Sequence, residues 1–591
     1  MIEPRFRWVL SGATPSPALL RAGAELGLGA PAVAVLAGRG IAAPEELASF
    51  FADPGDGLHD PRALPDAAVV VDRVLRARQA RERVLVVGDF DADGLTGLAI
   101  LVLALERLGI EAIPYVPDRA EEGHGLSTAA VEVAAGDGAG LIVTVDCGST
   151  SGPEIAAAAA RGIDVLVTDH HRMPETRPPA VAIVNPHRAD SAYPDRRLTG
   201  SGVAFKVAQL LLADEPGGPQ AALDLADLAT IGTVSDMAPL VGENRSIARL
   251  GLERIRTAPR PGLAALLERA RTPAERVDLE AVGFVIAPRL NAAGRVGDAI
   301  DAARLLLARS PEEAAPHAEA LESANANRRD LTRRSIDEAR ALSPETDEPA
   351  VVVRGPWALG IVGLVASRLA EDSGRPAVVG SDHGEVVRAS CRSGPGFDLA
   401  ASLASLDDIL VRHGGHAGAA GFEVAADRWD EFRERFLALA GATPAGPTPA
   451  TLAVDLALPA REVDYPLVRD LRNLGPFGPG NPEPLVAVLG LEVSRVRPAN
   501  GGHTQLVLRR DPDVIDGIAF GRPDLAESLA EGERIDVVAR LASRSFGGYE
   551  SLQLEVRDVG PAGGTGLTTG PMAAPSAAGA AAAGGFPGDE R

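Results

Sequence analysis

Cysteine is nearly absent from this chain of 591 residues: Cys147 and Cys391 are the only two. That pair builds neither a disulfide framework nor a cysteine zinc site, and it suits a reducing, cytoplasmic setting. Lysine is rarer still. Lys206 stands alone among basic residues that are otherwise arginine, which with abundant Ala and Gly points to a GC-rich genome rather than to a function. No apolar run approaches the roughly 18 residues of a membrane span; "LAILVLAL" from Leu98 is among the longest. The opening "MIEPRFRWVLSGATPSP" has no cationic head followed by an apolar block, so no secretory leader is expected. Positive charge is short as well, with 58 Lys and Arg against 81 Asp and Glu, a formal −23. This excludes wholesale electrostatic capture of nucleic acid but leaves room for a local basic groove. There is no repeat array.

What is present is a globular composition, 46% hydrophobic and 24% charged, in a length that implies two to four domains. Residues 1–80 read as short helices ending in "DAAVVVDRVLRARQARE". From Val84 the apolar strands "VLVV", "LIVTV" and "DVLVT" alternate with Ala/Leu-rich helices, the pattern of a parallel sheet covered by helices on both faces. A further αβ or helical section follows over about 196–310, and "PEEAAPHAEALESANANRRDLTRRSIDEARAL" reads as a long polar helix acting as a strut. A second α/β rhythm runs from Pro349 to Val424, and "GATPAGPTPA" at 441–450 is a Pro/Gly linker. Short strands over about 488–558 predict a small β-barrel, and the Gly/Ala/Pro-rich tail beyond Gly560 reads as disordered.

The chemistry begins at "VLVVGDFDADGLTG" (Val84–Gly97), where a buried strand ends on Asp89, Asp91 and Asp93. Alternate positions share one face of a strand, so the three carboxylates are expected to converge where the chain opens at Gly94. Asp146 closes the next strand in "VTVDCGS", and Asp169, His170 and His171 close a third in "VLVTDHH". Ligands of parallel α/β sheets bind beyond the carboxyl ends of the strands, so three strands deliver acids and imidazoles to one edge. One Asp after a strand is ordinarily a helix cap or turn former; three such ends together ask for more. Two carboxylates about 7 Å apart repel by roughly 2 kcal/mol at an effective dielectric near 20. Divalent cations remove that penalty. Mixed carboxylate–imidazole ligation favours Mn²⁺ and admits Mg²⁺, and two such ions suit an in-line phosphoryl displacement.

With "GDFDADG", "VTVDCGS" and "VTDHH" in this order, the chain resembles the DHH phosphoesterase superfamily. Later segments look like its RecJ family: "PDRAEEGHGL" (Pro117–Leu126), "LTGSGVAFK" (Leu198–Lys206), "IGTVSDMAPLVGENR" (Ile231–Arg245) and "PRLNAAGRVGDA" (Pro288–Ala299). So do "GIVGLVASRL" (Gly360–Leu369), "ASCRSGPGFDL" (Ala389–Leu399), "HGGHAGAAGF" (His413–Phe422) and "LGPFGPGNPEP" (Leu474–Pro484). The resemblance implies an α/β protein: a parallel-sheet DHH catalytic domain (81–310) after an N-terminal helical segment (1–80), and a connecting long helix (311–345) leading to a DHHA1 α/β substrate-binding domain (346–440). A linker segment with the PFGPGNP motif (441–487), a C-terminal OB-fold β-barrel (488–560) and a disordered tail (561–591) would complete it.

The implied activity is a 5′→3′ exonuclease of recombination and repair, specific for single-stranded DNA, dependent on two Mn²⁺ or Mg²⁺ ions and releasing 5′-mononucleotides. Carried onto matching positions, the metal ligands are Asp89, Asp91, Asp93, Asp146, His170 and Asp236. Asp93 and Asp146 also serve catalysis, with His171 near the scissile phosphate or leaving group. Arg119, Ser390 and Arg392 match positions that hold the 5′-terminal phosphate, as a forked cation and a hydroxyl can. Gly414 and Gly415 permit close backbone approach to phosphate beside His416, and Asn291 and Arg295 line the DNA track. His124 stands at the entrance where the family commonly has Tyr. Phe90 replaces Tyr, Ala358 and Leu359 replace His and Pro after Trp357, Asn327 and Arg329 stand where Glu and Gln are common, and Phe546 stands at a usual Trp.

In the barrel, Arg495, Arg497, Arg509, Arg510, Arg540 and Arg544 near Phe520, Phe546 and Tyr549 fit an OB-fold that holds single strands by stacking. The resemblance further implies a monomer without membrane attachment, served by a single-stranded-DNA-binding protein and a helicase. Two other readings stand beside it: a DHH/DHHA1 phosphodiesterase for short oligonucleotides or cyclic dinucleotides, and an inactive single-strand-binding scaffold.

Overall fold

The computed structural model of the protein describes residues 2–119, 121–343, 348–442, 451–510, 513–546, 549–563 and 567–570. Most of the 441–450 linker lies outside the described residues; of the 561–591 tail, read as disordered, 564–566 and 571–591 lie outside them too, while Leu567–Gly570 is a strand, ordered by its pairing with Trp8–Ser11. The side chains of Arg544, Phe546 and Tyr549 also lie outside the described residues. The chain forms two compact units, one of Leu58–Ala238 and Glu243–Ala445, the other of Met1–Gly57, Pro239–Gly242 and Gly446–Arg591.

The first unit opens with a five-stranded, all-parallel sheet. In chain order its strands are β1 (Arg83–Gly88), β2 (Ala112–Tyr115), β3 (Ala139–Val145), β4 (Asp164–Thr168) and β5 (Ala182–Val184), arranged β2-β1-β3-β4-β5. Leu85, Val87, Ile142, Val165 and Val167 pack on one face against the helices Thr128–Gly136 and Gly152–Ala160. The other face carries α1 (Ala92–Arg107), buried along most of its length, which packs on α2 (Gly200–Leu212) and α3 (Ala226–Ser235). A helix apolar on every side belongs in the middle of a layered domain. The section after 196, open to an αβ reading, contains only helices among its described elements up to 310.

Later come α4 (Ala287–Val296) and α5 (Pro311–Leu342), the latter 32 residues and about 48 Å long. Its polar composition leaves one buried stripe, Ala314, Ala318, Leu321, Asn325, Ser335 and Ala339. Arg289 of α4 is paired with Glu322 of α5 at 2.7 Å. A second sheet follows from β6 (Val351–Gly355), β7 (Ala377–His383), β8 (Val386–Arg392), β9 (Leu410–Gly415) and β10 (Ala419–Ala425), in the order β9-β10-β8-β7-β6. Only β6 and β7 run parallel; α6 (Leu359–Ser373) covers one face.

The second unit is built on a closed barrel of the strands Val486–Ala499, His503–Arg510, Asp513–Ala519, Arg534–Phe546 and Tyr549–Pro561. Closure comes from Val486–Ala499 pairing with Arg534–Phe546, and from a parallel pairing of Asp513–Ala519 with Tyr549–Pro561. The barrel unit starts earlier than 488, because Leu456–Pro459 adds a parallel strand to Val486–Leu489. Residues 1–80, read as short helices, contain the helices Pro17–Glu25, Ala30–Gly38, Pro44–Phe51 and Ala67–Ala80, with one departure at the start. Arg7–Ser11 is a strand lying parallel between Thr451–Val454 and Leu567–Gly570, and Trp8 Nε1 donates to Asp558 Oδ2 at 2.8 Å. Leu19, Val33, Leu36 and Leu47, from helices before Gly57, share the core of Val488, Leu506 and Ile535. A five-residue strand whose partners lie hundreds of residues away leaves little local signal.

Candidate active site

Parallel pairing fixes the strand ends level with one another: Gly88 faces Val145, and Val145 faces Thr168. The next residue of each strand then donates its N–H to the neighbouring strand's last carbonyl. Asp89 N reaches Val145 O at 3.3 Å, Asp146 N reaches Thr168 O at 2.9 Å, and Asp169 N reaches Val184 O at 3.0 Å. Three carboxylates are thus set side by side at roughly the spacing of neighbouring strands, about 5 Å.

Asp91 and Asp93 reach the same place by a route other than the expected strand face. β1 ends at Gly88, and the chain turns directly into α1. Asp91 is the N-cap of that helix, accepting from Asp93 N at 2.9 Å and Gly94 N at 3.1 Å. Asp93 lies in the first turn and accepts from Gly200 N at 2.7 Å and Ser201 N at 3.0 Å, buried amides in the opening turn of α2 that have no partner within their own helix. A carboxylate at a helix N-terminus is favoured by those amides and by the helix dipole. The strand-to-helix turn, not strand alternation, brings the acids together. Gly94 is required there: a Cβ would sit 2.6 Å from Asp89 N and O.

Asp236, which local pattern alone does not mark, ends α3 as its C-cap. His170 Nε2 then lies 3.1 Å from Asp146 Oδ1, 3.9 Å from Asp236 Oδ2 and 4.0 Å from Asp93 Oδ2. Among the described residues three sets of potential ligands result, each with donor atoms within 4.8 Å of one another: Asp89, Asp91 and Asp146; Asp93, His170 and Asp236; Asp146, His170 and His171. Burial, then the charges of Asp89 and Asp93, pushes Asp91 up to about 6. Burial with Asp93 and Asp91 pushes Asp236 up to about 8. Asp146 is raised well above the usual carboxylate range, chiefly by burial and next by Asp93. Asp89 Oδ1 and Asp146 Oδ1 are buried without an aligned hydrogen-bond donor among the described residues; His124 Nδ1 and His170 Nε2 approach them at 3.0 and 3.1 Å. Orphaned buried oxygens, mutual repulsion and an imidazole in the donor set fit divalent cations of the Mn²⁺ or Mg²⁺ kind.

Asp169 has a role that sequence reasoning did not assign. Its carboxylate accepts from Ser149 N, His170 N and His171 N, and lies 2.8 Å from His171 Nδ1. Asn185 Nδ2 donates to His171 O at 2.9 Å. His171 is pushed up to about 9, mainly by its hydrogen bond to Asp169. His124, expected at the entrance, stands beside Asp89 with its ring edge-on to His171 at 5.2 Å.

The arginines gather next to the acids. The Arg119 guanidinium lies over Phe90 at 4.6 Å, a contact the Phe retains in place of Tyr. Arg392 Nε donates to Ser367 Oγ at 3.0 Å and Nη1 to Ser390 Oγ at 3.2 Å. Arg295 Nη1 donates to Gly360 O at 2.9 Å. Burial and then the charges of Arg119, Arg328 and Arg392 bring Arg295 down to about 10, with Asp91 opposing. Arg328, also missed from the sequence, is held by Asn325 Oδ1 at 3.2 and 3.1 Å. Gly360 allows this assembly, since a Cβ there would overlap the Arg295 carbonyl.

Asn291 does not simply line a track. Its Oδ1 accepts from Ala92 N at 2.8 Å, and its Nδ2 donates to Ser235 Oγ at 3.3 Å, bracing the turns that carry Asp91 and Asp236. Gly414, Gly415 and His416 sit on the exposed β9–β10 hairpin; β10 pairs Ala419 with Arg392 and Gly421 with Ser390. In the barrel, Arg540 lies 3.2 Å from Glu483, Arg509 lies 3.8 Å from Glu492, and Phe520 packs edge-on to His503.

A parallel sheet presenting acids and imidazoles beside clustered arginines defines a DHH-type phosphoesterase. Residues 83–233 match the DHH family, N-terminal domain, residues 348–442 the DHHA1 domain, and residues 454–558 the RecJ OB domain. The single-stranded-DNA-specific exonuclease RecJ of Dickeya dadantii is 36% identical over 85% of this chain and 92% of its own length. That of Bacillus subtilis is 34% identical over 89% of this chain and 67% of its own. The crystal structure of Thermus thermophilus RecJ in complex with Mn²⁺ superposes with a TM-score of 0.79 at 30% identity, covering 94% of this chain and 79% of that one; its Mg²⁺ complex gives 0.75. The chain belongs to the RecJ family of single-stranded-DNA-specific exonucleases. Among the described residues no helix is long and apolar enough to cross a membrane.

Proposed function

We propose that this protein degrades single-stranded DNA from its 5′ end, one nucleotide at a time, with Mn²⁺ or Mg²⁺ held by Asp89, Asp91, Asp93, Asp146, His170 and Asp236. The observation that carries the proposal is the abutment of two opposite fields: buried, under-satisfied carboxylate oxygens, and arginines whose mutual repulsion calls for an anion. Bound divalent ions supply activation of water and stabilisation of the departing oxygen. The protein's own groups do the rest. Arg119, Arg295 and Arg392 with Ser390 grip the terminal phosphate and fix polarity. Asp169 keeps His171 oriented and protonated near neutral pH, aimed as a donor to the departing 3′ oxygen. Asn291 holds the two ligand-bearing turns in register, and the buried surroundings strengthen each contact. The OB domain favours long strands over dinucleotides.

The same reading makes the protein a monomeric cytoplasmic enzyme fed by a helicase and a single-stranded-DNA-binding protein. The test is digestion of 5′-labelled single strand, 3′-labelled single strand and duplex with Mn²⁺. Mononucleotides released from the 5′ end of the single strand are expected; equal attack on the duplex, or endonucleolytic fragments, would overturn the reading. Asp146→Ala is expected to abolish hydrolysis while retaining strand binding.

A further inference from the structure

The most exposed large hydrophobic among the described residues is Phe284, at 65%. An isolated exposed apolar residue is ordinary, but this one has an unusual setting. It lies in a single π-helical turn, Val282–Ile286, that runs directly into α4. Such turns insert one extra residue, cost hydrogen-bond geometry, and cluster at functional sites. The ends of the turn, Val282 and Ile286, are buried, so the distortion is anchored while Phe284 is turned outward.

Its position along the helix is informative. Phe284 lies in the same continuous helical run as Asn291 and Arg295, with the π turn shifting its register against theirs. Asn291 contacts the Asp91 turn through Ala92, and Arg295 belongs to the arginine cluster. The far side of the helix is committed elsewhere, with Arg289 paired to Glu322. The π turn packs on the last turn of α3, where a Cβ on Gly283 would lie 3.5 Å from Val234 Cγ1. Asp236 and Met237 follow that turn. Met237 is itself 47% exposed and takes a left-handed backbone, φ 57°, a conformation a non-glycine residue adopts at a cost. The exposed Phe284 ring and the exposed Met237 thioether therefore stand on segments that meet at the last turn of α3, the turn that ends on Asp236.

We infer that Phe284 is a positioning residue on which a base of the single strand stacks beside the metal-ligand cluster, holding the strand so that its terminal phosphodiester stays in register. The inference rests on the exonuclease reading above. A flat ring accepts any base, which suits digestion without sequence preference.

Phe284→Ala, Phe284→Leu and Phe284→Trp would be compared with the unaltered full chain. Two readouts serve: Mn²⁺-dependent release from a 5′-phosphorylated single strand, and quenching of 2-aminopurine placed at successive positions near the 5′ end, bound in EDTA. Removal of a base-stacking ring is expected to raise KM by about tenfold, more than it lowers kcat, and to relieve quenching at one position. Trp should restore both and Leu neither. Should the unaltered protein digest strands while Phe284→Ala matches it in KM and quenching, or should Leu serve as well as Phe, the stacking role is overturned. If the unaltered protein releases no nucleotides, the exonuclease reading itself fails, whatever the variants do.

Discussion

Gly200→Ala isolates the packing that holds the acidic cluster together. Gly200 is the first residue of α2, and its N–H donates to Asp93 Oδ2 at 2.7 Å. A Cβ added there would stand 2.5 Å from Asp146 Cγ and Oδ1, roughly 0.9 Å inside the 3.4 Å at which ordinary contact begins. Asp146 has little room to yield. Its backbone is left-handed at φ 61°, its N–H is bonded to Thr168 O, and His170 Nε2 lies 3.1 Å away on its carboxylate. The overlap should cost about 1–3 kcal/mol as overpacking and displace the carboxylate by close to 1 Å, a misplacement that lowers turnover by about 100-fold. A 100-fold weaker Mn²⁺ affinity would remove about 2.7 kcal/mol of metal-dependent stabilisation at saturating metal. The assay pairs nucleotide release with the Mn²⁺-induced shift in melting temperature. Gly202→Ala is the control on the same helix, because its Cβ would meet Leu198 at 3.4 Å, an ordinary contact; it should cost nothing and gain up to about 1 kcal/mol of helix propensity. Gly200→Ala with full activity and an undiminished Mn²⁺ shift would refute the reasoning.

Three further outcomes are expected. In metal-free protein, Asp169→Asn should bring the His171 titration, seen by NMR, down from about 9 toward the ordinary value near 6.5, because the Asp169 hydrogen bond is the main cause of the rise; an unmoved titration would exclude Asp169 as that cause. Raised carboxylates favour the protonated fold, so the contributions of Asp91 and Asp236 are present at low pH and are lost as pH rises through about 6 and about 8. Mn²⁺ replaces those protons, so its melting shift should grow between pH 6 and 9 and vanish with EDTA; a shift independent of pH would contradict this. Lys206 and Glu243 form a wholly buried pair at 2.9 Å, with Tyr193 Oη donating to Glu243 at 2.6 Å. Lys206→Met strands the carboxylate and should cost about 3–5 kcal/mol in denaturant unfolding, whereas a loss below 1 kcal/mol would show that Glu243 finds another partner.

The sequence by itself determined the parallel sheet, its order of strands and helices, the long connecting helix and the acidic strand ends, because each leaves a local signature: apolar runs of strand length, helical spacing, and charge where burial stops. It also marked Asp89, Asp146, His170 and His171 as neighbours, since parallel strands must end at one edge. The tertiary structure decided the rest. The Asp91–Asp93 convergence depends on a cap and on α2 amides more than a hundred residues away, and Asp236 enters because α3 packs across α1. Asn291 proves a brace because its amide meets two distant turns. The Arg7–Ser11 strand exists only through partners at Thr451–Val454 and Leu567–Gly570. Local pattern fixes what a segment prefers to be; contacts between segments far apart in sequence are set by packing, and no window of neighbouring residues contains them.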